Sequence, residues 1–554
     1  MERFQPNPIT LFIFISLLTP SLAEFTNFIS CLNSNDVKNF TLQPRPDNDP
    51  SSTYYTLLQI SIQNVRFAQP TFPKPLAIIL PNTKEQLAGA IICCRQQETL
   101  AIRIRSGGHS YEGLSSVADE TPFVIIDMMN INHVAVNVGS LTAWVEAGAT
   151  LGETYHAIAT LSSSHGFPAG SCPTVGSGGH IGGGGFGLLS RKYGLASDNV
   201  IDAILIDGDG QFLDRKGMGE DVFWAIRGGG GGTWGVLYAW KIKLVEVSKT
   251  VTAFIVSRPG SRRQVAKLVH KWQFVAPGLE DEFYLSVFVG TDLPEVQTVG
   301  ISATFKGFYL GPKTGMLSSI NRVFPELEIG EEDCMEMSWI ESVVYFSGLK
   351  NGSSVDQLKD RVLHDKGFFK AKSDYIRVPI SVKGIYGLID ILEMEPKGYV
   401  ILDPYGGMMN RITNDSLPFP HRSGNLYSIQ YIVSWHEEEN QRSDELINWV
   451  RGFYNRMAPY ASKGPRAAYV NYLDLDLGVM NCSASRSENA VEIARSWGEK
   501  YFMGNYDRLV QAKTIIDPKN VFNNPQSIPP LPLVEIAMVF ERERERGSIT
   551  NESV

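Results

Sequence analysis

From Ser171 to Gly185 the chain reads Ser-Cys-Pro-Thr-Val-Gly-Ser-Gly-Gly-His-Ile-Gly-Gly-Gly-Gly. Each glycine removes a Cβ, so the backbone can approach a large flat or phosphate-bearing ligand and adopt positive φ where a turn needs it. Cys172 places a soft nucleophile beside that run. Upstream, Arg105-Ser106-Gly107-Gly108-His109-Ser110-Tyr111-Glu112-Gly113 has the same character, with a histidine in the glycine turn. The two stretches suggest two protein groups aimed at one cofactor. A flexible linker fits poorly, because apolar segments flank the run and Cys, His and Phe interrupt it. No strand–GxGxxG–helix unit followed by an acidic residue can be laid over it, which excludes the nicotinamide dinucleotide fingerprint. No Gly-Lys-Ser/Thr follows, which excludes a P-loop.

The segments RSGGHSYEG and FPAGSCPTVGSGGHIGGGGFG resemble the berberine bridge enzyme-like family of plant flavoproteins, which includes the cannabinoid acid synthases. The likeness runs from Phe25 to Pro532. It implies an α+β, two-domain vanillyl-alcohol-oxidase-type fold: a discontinuous FAD domain plus an antiparallel-sheet substrate domain. It also implies FAD held bicovalently, His109 on the 8α-methyl and Cys172 on C6, which would make the flavin more oxidising. Around them, Arg105, Ser106, Gly107, Gly108, Ser110, Val175, Gly176, Gly178, Gly179, His180 and Gly182 are expected to form the cofactor site. The resemblance further implies a Cys31–Cys94 disulfide, with Cys31–Cys93 as the rival.

The chain has 554 residues, too many for one ordinary core, with 43% hydrophobic and 20% charged residues. A net charge of -9 and the lack of a basic patch with interleaved aromatics argue against nucleic acid as a partner. The N-terminus carries an apolar run from Ile9 to Leu18, then Ser21-Leu22-Ala23. This is the pattern of a signal peptide cut after Ala23, with an uncleaved anchor as the alternative. No later run reaches the ~18 apolar residues of a spanning helix. The expectation is a secreted or vacuolar protein, a monomer off the membrane, that meets a small-molecule substrate and O2. Six cysteines fit an oxidising compartment. Sequons at Asn39, Asn351, Asn414, Asn481 and Asn551 are candidate glycan sites.

The pattern predicts a helical lead-in with polar breaks from Ser30 to Arg66. Strands follow at Ala77 to Pro81, Ala101 to Arg105, Phe123 to Asp127, Ala143 to Ala147, Val200 to Asp207 and Val236 to Leu244. A helix to Cys94 starts at a cap on Asn82 or Thr83, another opens at Leu151, and a third spans Asp221 to Arg227. The second glycine run, Gly228 to Gly232, is another close backbone approach or a hinge. Near Thr250 glycine thins out and longer strands alternate with helices, the texture of an antiparallel sheet backed by helices. The organisation expected is residues 1–23 signal peptide, 24–245 FAD domain, 246–475 substrate domain, 476–532 a return to the FAD domain, and 533–554 a polar tail.

Tyr472 matches the catalytic tyrosine of the resembled family. A phenol of pKa about 10 serves as a base only where cations or hydrogen bonds depress that value; otherwise Tyr472 packs against substrate. Two positions depart from the family. Leu473 stands where arginine is common, and Arg411 stands where some members carry a glutamate base in Gly-Gly-x-Met-x-Glu-Ile. Arg411 offers a donor fork to a substrate oxyanion, or it points to solvent or pairs with an acid such as Asp415. Val175 resembles the small gatekeeper of oxygen-reactive members. His165 and His180 lack metal-ligand spacing, and His436 opens a polar loop.

Three functions stay open. The first is an FAD-linked oxidase of plant specialised metabolism acting on a phenolic, prenylated or alkaloid substrate, with or without ring closure, using Tyr472 and Arg411. The second is a redox-neutral cyclase, resembling the intermolecular Diels–Alderases of mulberry, with Arg411 polarising a carbonyl. The third is a storage or allergen-like flavoprotein with weak carbohydrate oxidase activity.

Overall fold

The apolar runs assemble into three principal sheets. A computed structural model describes residues 22–44, 53–97, 100–118, 122–296, 300–362, 365–481 and 484–532. The expected leader up to Ser21, Cys482, the polar tail and Asn551 lie outside the described residues. A helix, Leu22–Ser34, runs across the expected cut after Ala23.

The first sheet has the order Phe40–Leu42, Ala77–Ile79, Phe123–Asp127, Ala101–Arg105. Its last three strands run parallel. Phe123–Asp127 is buried at every residue, as a parallel strand covered on both faces must be. Ala101–Arg105 delivers the chain into the His109 turn. The second sheet is antiparallel, in the order Val134–Asn137, Thr142–Glu146, Val236–Lys243, Val200–Ile206, Phe212–Leu213. The Gly228–Gly232 run feeds its central strand.

The third sheet has seven antiparallel strands: Met335–Met337, Val251–Pro259, Ser302–Tyr309, Phe283–Gly290, Gly398–Pro404, Tyr427–Trp435, Phe368–Ile376. Successive side chains of a strand alternate faces. Val287, Leu402, Ile429 and Val433 face one way, into a core shared with the helices Arg262–Val275, Val382–Leu392 and Ser443–Met457. Helix Val382–Leu392 buries Ile385, Leu388, Ile389 and Leu392, an i, i+3, i+4, i+7 stripe. Each contributes about 1.5–3 kcal/mol through burial. Ser381 caps its N-terminus by accepting from Gly384 N. The C-terminal helices Ala490–Phe502 and Tyr506–Ile516 do not join this core. Their Trp497, Tyr501 and Leu509 pack into the core of the second sheet, with Val145 and Trp240.

Two expectations are corrected. The lead-in after Ser30 is not wholly helical, because Phe40–Leu42 is an edge strand paired with Ala77–Ile79. The disulfide is Cys31–Cys93, with Cα atoms 5.6 Å apart, and not Cys31–Cys94. Both candidates lie on helix Lys84–Arg95, where neighbours point roughly 100° apart. Cys93 faces helix Leu22–Ser34, and Cys94 is a free thiol in the core behind it.

Candidate active site

The strands and glycine runs enclose a cavity of about 630 Å³, lined by the His109 turn, the Cys172 loop, both glycine runs and one face of the seven-stranded sheet. Gly108 makes the His109 turn possible. Its φ is +72°, and a Cβ there would sit 1.7 Å from Ser61 O. Thr174 joins the two stretches that the sequence set apart. Its hydroxyl oxygen lies 2.9 Å from His109 Nε2 and 3.7 Å from Cys172 Sγ. Burial lowers the His109 pKa to about 4, so the imidazole is neutral and keeps a lone pair. Burial raises the Cys172 thiol, which stays protonated near neutrality.

The glycine runs fit a large ligand better than they fit the protein. A Cβ on Gly179 or Gly232 would meet nothing within 4 Å. Gly231 faces Gly179, its ideal Cβ 3.5 Å from the Gly179 Cα. Gly230 N donates to Gly182 O at 2.9 Å, locking the two runs together. The glycines are thus kept open toward the cavity. Two cavity-lining side chains, Ser115 Oγ and Trp240 Nε1, are buried without a protein partner. A buried polar atom of this kind signals a missing hydrogen-bond partner. An open cradle, orphaned polar atoms and a neutral histidine beside a cysteine suit FAD.

Of the other expected cofactor residues, Ser106, Gly107, Ser110, Val175, Gly176, Gly178, His180 and Gly182 line the cavity. Ser106 donates to Ala147 O at 2.5 Å, and Ser110 Oγ accepts from Leu114 N at 3.0 Å. His180 Nε2 accepts from Gly170 N at 3.0 Å, which fixes the Cys172 loop. Arg105 does not line it. Fully buried, it pairs with Asp127 at 2.7 Å and donates to the carbonyls of Leu57 and Leu58. These partners take up its guanidinium on the far side of the strand from the cavity.

Tyr472 reaches the cavity. Its ring stacks on Tyr111, with centroids 5.5 Å apart and an interplanar angle of 14°. Tyr111 OH accepts from Gln430 Nε2 at 2.6 Å. Burial, then the charge of Asp403, raises the Tyr472 pKa well above its ordinary value. The neighbours therefore hold its proton on. A buried ion network secures the stacked pair: Lys370 bridges Glu112 and Asp474, and Lys372 reaches Asp474 at 2.5 Å and Asp476 at 3.0 Å. Glu112 follows Tyr111 in the chain, and Asp474 follows Leu473.

Arg411 does not join them. It ends a one-turn helix, Met408–Arg411, whose buried residue is Met409. The Arg411 side chain is 54% exposed and pairs with Asp281, not Asp415. It is neither an oxyanion donor in the cavity nor a base. The structure adds Thr174, Tyr111, Tyr284, Asp403 and Gln430, which motif reading passed over. The last three sit on strands whose alternate residues face the cavity, and alternation within Tyr427–Trp435 was visible. Among the described residues no cluster could hold a metal ion, and no helix is long and apolar enough to cross a membrane.

Fold and cavity define an FAD-binding oxidoreductase. Residues 75–215 match a family model described as an FAD binding domain, and residues 468–529 one described as berberine and berberine like. The chain is 57% identical to berberine bridge enzyme-like D-1 of Nicotiana tabacum over 94% of each protein, and 50% identical to reticuline oxidase of Eschscholzia californica over 96% of each. The solved structure of berberine bridge enzyme from Eschscholzia californica superposes with a TM-score of 0.87 at 50% identity, covering 91% of this chain and 99% of that one. The chain belongs to the berberine bridge enzyme-like family. The expected α+β, two-domain FAD oxidase fold is the fold it has.

Proposed function

We propose that the protein is a secreted oxidase of plant specialised metabolism that carries FAD on two covalent bonds, through His109 and Cys172. The observation that carries this reading is the convergence of both side chains on Thr174 at the rim of the open glycine cradle. Thr174 engages His109 Nε2, so the attaching nitrogen is Nδ1. Bound FAD supplies the hydride acceptor and passes the electrons to O2.

The chain's own residues position the substrate. The Tyr111–Tyr472 stack presents two phenols above the cradle, and Gln430 orients the first. Tyr472 contacts the substrate and takes its proton only when ionised, which its surroundings oppose. Val175, at the cavity wall, leaves room for O2. The Cys31–Cys93 bond supports an oxidising compartment. Asn39, Asn351, Asn414 and Asn481 are exposed, as glycan sites need to be. The redox-neutral cyclase reading asked Arg411 to polarise a carbonyl, and its pairing with Asp281 takes that role away; the missing glutamate base and Leu473 are what still favour it.

Acid precipitation of the purified protein tests the proposal. The pigment stays with the pellet, His109→Ala and Cys172→Ala each still retain it, and the double variant releases it. A colourless protein, or wild type that gives up all its flavin, overturns the bicovalent reading. Coloured protein that consumes no O2 with any phenol or amine favours a storage role.

A further inference from the structure

The ion network beside the stacked tyrosines branches at one lysine. Phe368–Ile376 is the last strand of its sheet, so its outer edge has no further strand to pair with. Segments from elsewhere in the chain meet it instead. Val65 N donates to Gly367 O at 3.1 Å, and Tyr469 N to Ser373 Oγ at 3.1 Å. Asn64 Nδ2 donates to Phe369 O and to Tyr111 O, both at 2.9 Å. The His109 turn and the one-turn helix Val470–Tyr472 are thereby brought to the same strand.

Lys370 lies on that strand, with its side chain 3% exposed, and divides itself between the two arrivals. It donates to Glu112 Oε1, and to Asp474 Oδ1 at 2.9 Å. Burial works against its charge, but Glu112, Asp474 and Asp476 outweigh burial and raise its pKa, so the lysine stays charged. Arg66 stands 4.0 Å from Glu112, beyond hydrogen-bond reach, so Lys370 is what grips that carboxylate. Asp474 is held at every polar atom. Its N–H donates to Tyr501 OH at 2.9 Å, its carbonyl accepts from Gln526 Nε2 at 2.8 Å, and Lys372 takes Oδ2. Glu112 is three residues after His109 and next to Tyr111, and Asp474 is two residues after Tyr472. A buried ion pair seldom repays its desolvation, and apolar residues of similar volume often stabilise a fold better. What this one supplies is a fixed placement of the turn that carries His109 relative to the Tyr472 ring.

We infer that Lys370 is a positioning residue of the active site. Through Glu112 it holds the His109 turn in the shape that takes up flavin, and through Asp474 it holds Tyr472 on Tyr111. This inference rests on the two-bond flavin reading above and adds a residue from outside the cavity to that same site. Lys370 does not line the cavity, so it acts only through these neighbours. Lys372 is a built-in control. It lies on the same strand and is equally buried, but its ion pairs are with Asp474 and Asp476, neither of which belongs to the His109 turn.

Peptide mass mapping of the purified, flavin-loaded full chain, before and after nitration with tetranitromethane, tests this. Lys370→Met keeps most of the side-chain length and removes the charge. It is expected to lose most of the flavin linked to His109, to keep the flavin linked to Cys172, and to nitrate faster than wild type at Tyr111 and Tyr472. Lys372→Met nitrates faster at Tyr472 and keeps flavin on both residues. A thermal melt accompanies each variant. A lysine that only stabilised the fold would lower the melting temperature and leave the ratio of His109-linked to Cys172-linked flavin unchanged. That result overturns the inference, as does a Lys372→Met that loses His109-linked flavin as fully as Lys370→Met. If Lys370→Met fails to fold, Glu112→Gln decides, since it releases only the His109 branch: selective loss from His109 supports the role, and an unchanged ratio overturns it. Wild type with no flavin on His109 sinks the bicovalent reading itself; wild type with flavin on both residues and an indifferent Lys370→Met sinks this assignment alone.

Discussion

Thr174 is the residue on which the two proposed flavin anchors converge. Its hydroxyl holds His109 in one orientation and lies beside the Cys172 thiol. Thr174→Val keeps the shape and removes that hydrogen bond. Peptide mass mapping is expected to find less flavin on His109 and more acid-released flavin; unchanged attachment at both residues would refute the role. Tyr472 carries a second expectation. Its pKa is raised, so any step in which it acts as base speeds up with pH toward and beyond its ordinary value of about 10. A turnover profile that levels off near neutrality and persists in Tyr472→Phe excludes Tyr472 as that base. That His109 and Cys172 face one cavity was legible, because each sits in a dense glycine motif. Asp403 was not: a lone acid before Pro404 resembles a strand end, and only its register opposite Ser428 places it on the cavity face. Arg411 misled because it was placed by motif alignment, whereas a one-turn helix points it outward.

At the scale of single elements, the glycines divide into two kinds. Gly108 is required by the protein, since its φ is +72° and Ser61 O blocks any Cβ. Gly179 has open space, so it is required only by what the cradle holds. Gly179→Ala is accordingly expected to keep or slightly raise the melting temperature, since alanine suits a helix better by about 0.5–1 kcal/mol, yet to lower flavin content. Gly108→Ala is expected to lower the melting temperature, its cost exceeding the ~1 kcal/mol of an ordinary glycine replacement. Absorbance at the flavin band with a thermal melt separates the two, and identical behaviour of both variants would contradict the distinction. Most strands and helices could be read from alternation and caps. Phe368–Ile376 escaped because Lys370 and Lys372 look like a solvated surface. They are buried, and their partners Glu112, Asp474 and Asp476 are remote in sequence. Helix Ser443–Met457 packs on that strand and on Tyr427–Trp435.

Across the whole molecule, Arg422 joins the two halves. It is fully buried and grips Asp198 with both terminal nitrogens, at 2.9 and 2.8 Å. Arg422→Ala strands Asp198 and is expected to cost about 3–5 kcal/mol, read as a drop of several degrees in melting temperature. A drop under one degree would show that the halves do not depend on this clasp. A change of texture near Thr250 was visible in the sequence, and the family resemblance implied the return of the last segment. Neither showed that Tyr472 precedes helices packed with the second sheet while its ring looks across at the third. That division has a consequence. The residues proposed to hold the flavin sit on loops that leave the first and second sheets, whereas Tyr284, Asp403 and Gln430 sit on strands of the third. Exchanging a few cavity-facing side chains on three neighbouring strands would therefore redirect the catalyst to a different chemical customer while its redox engine ran on unaltered.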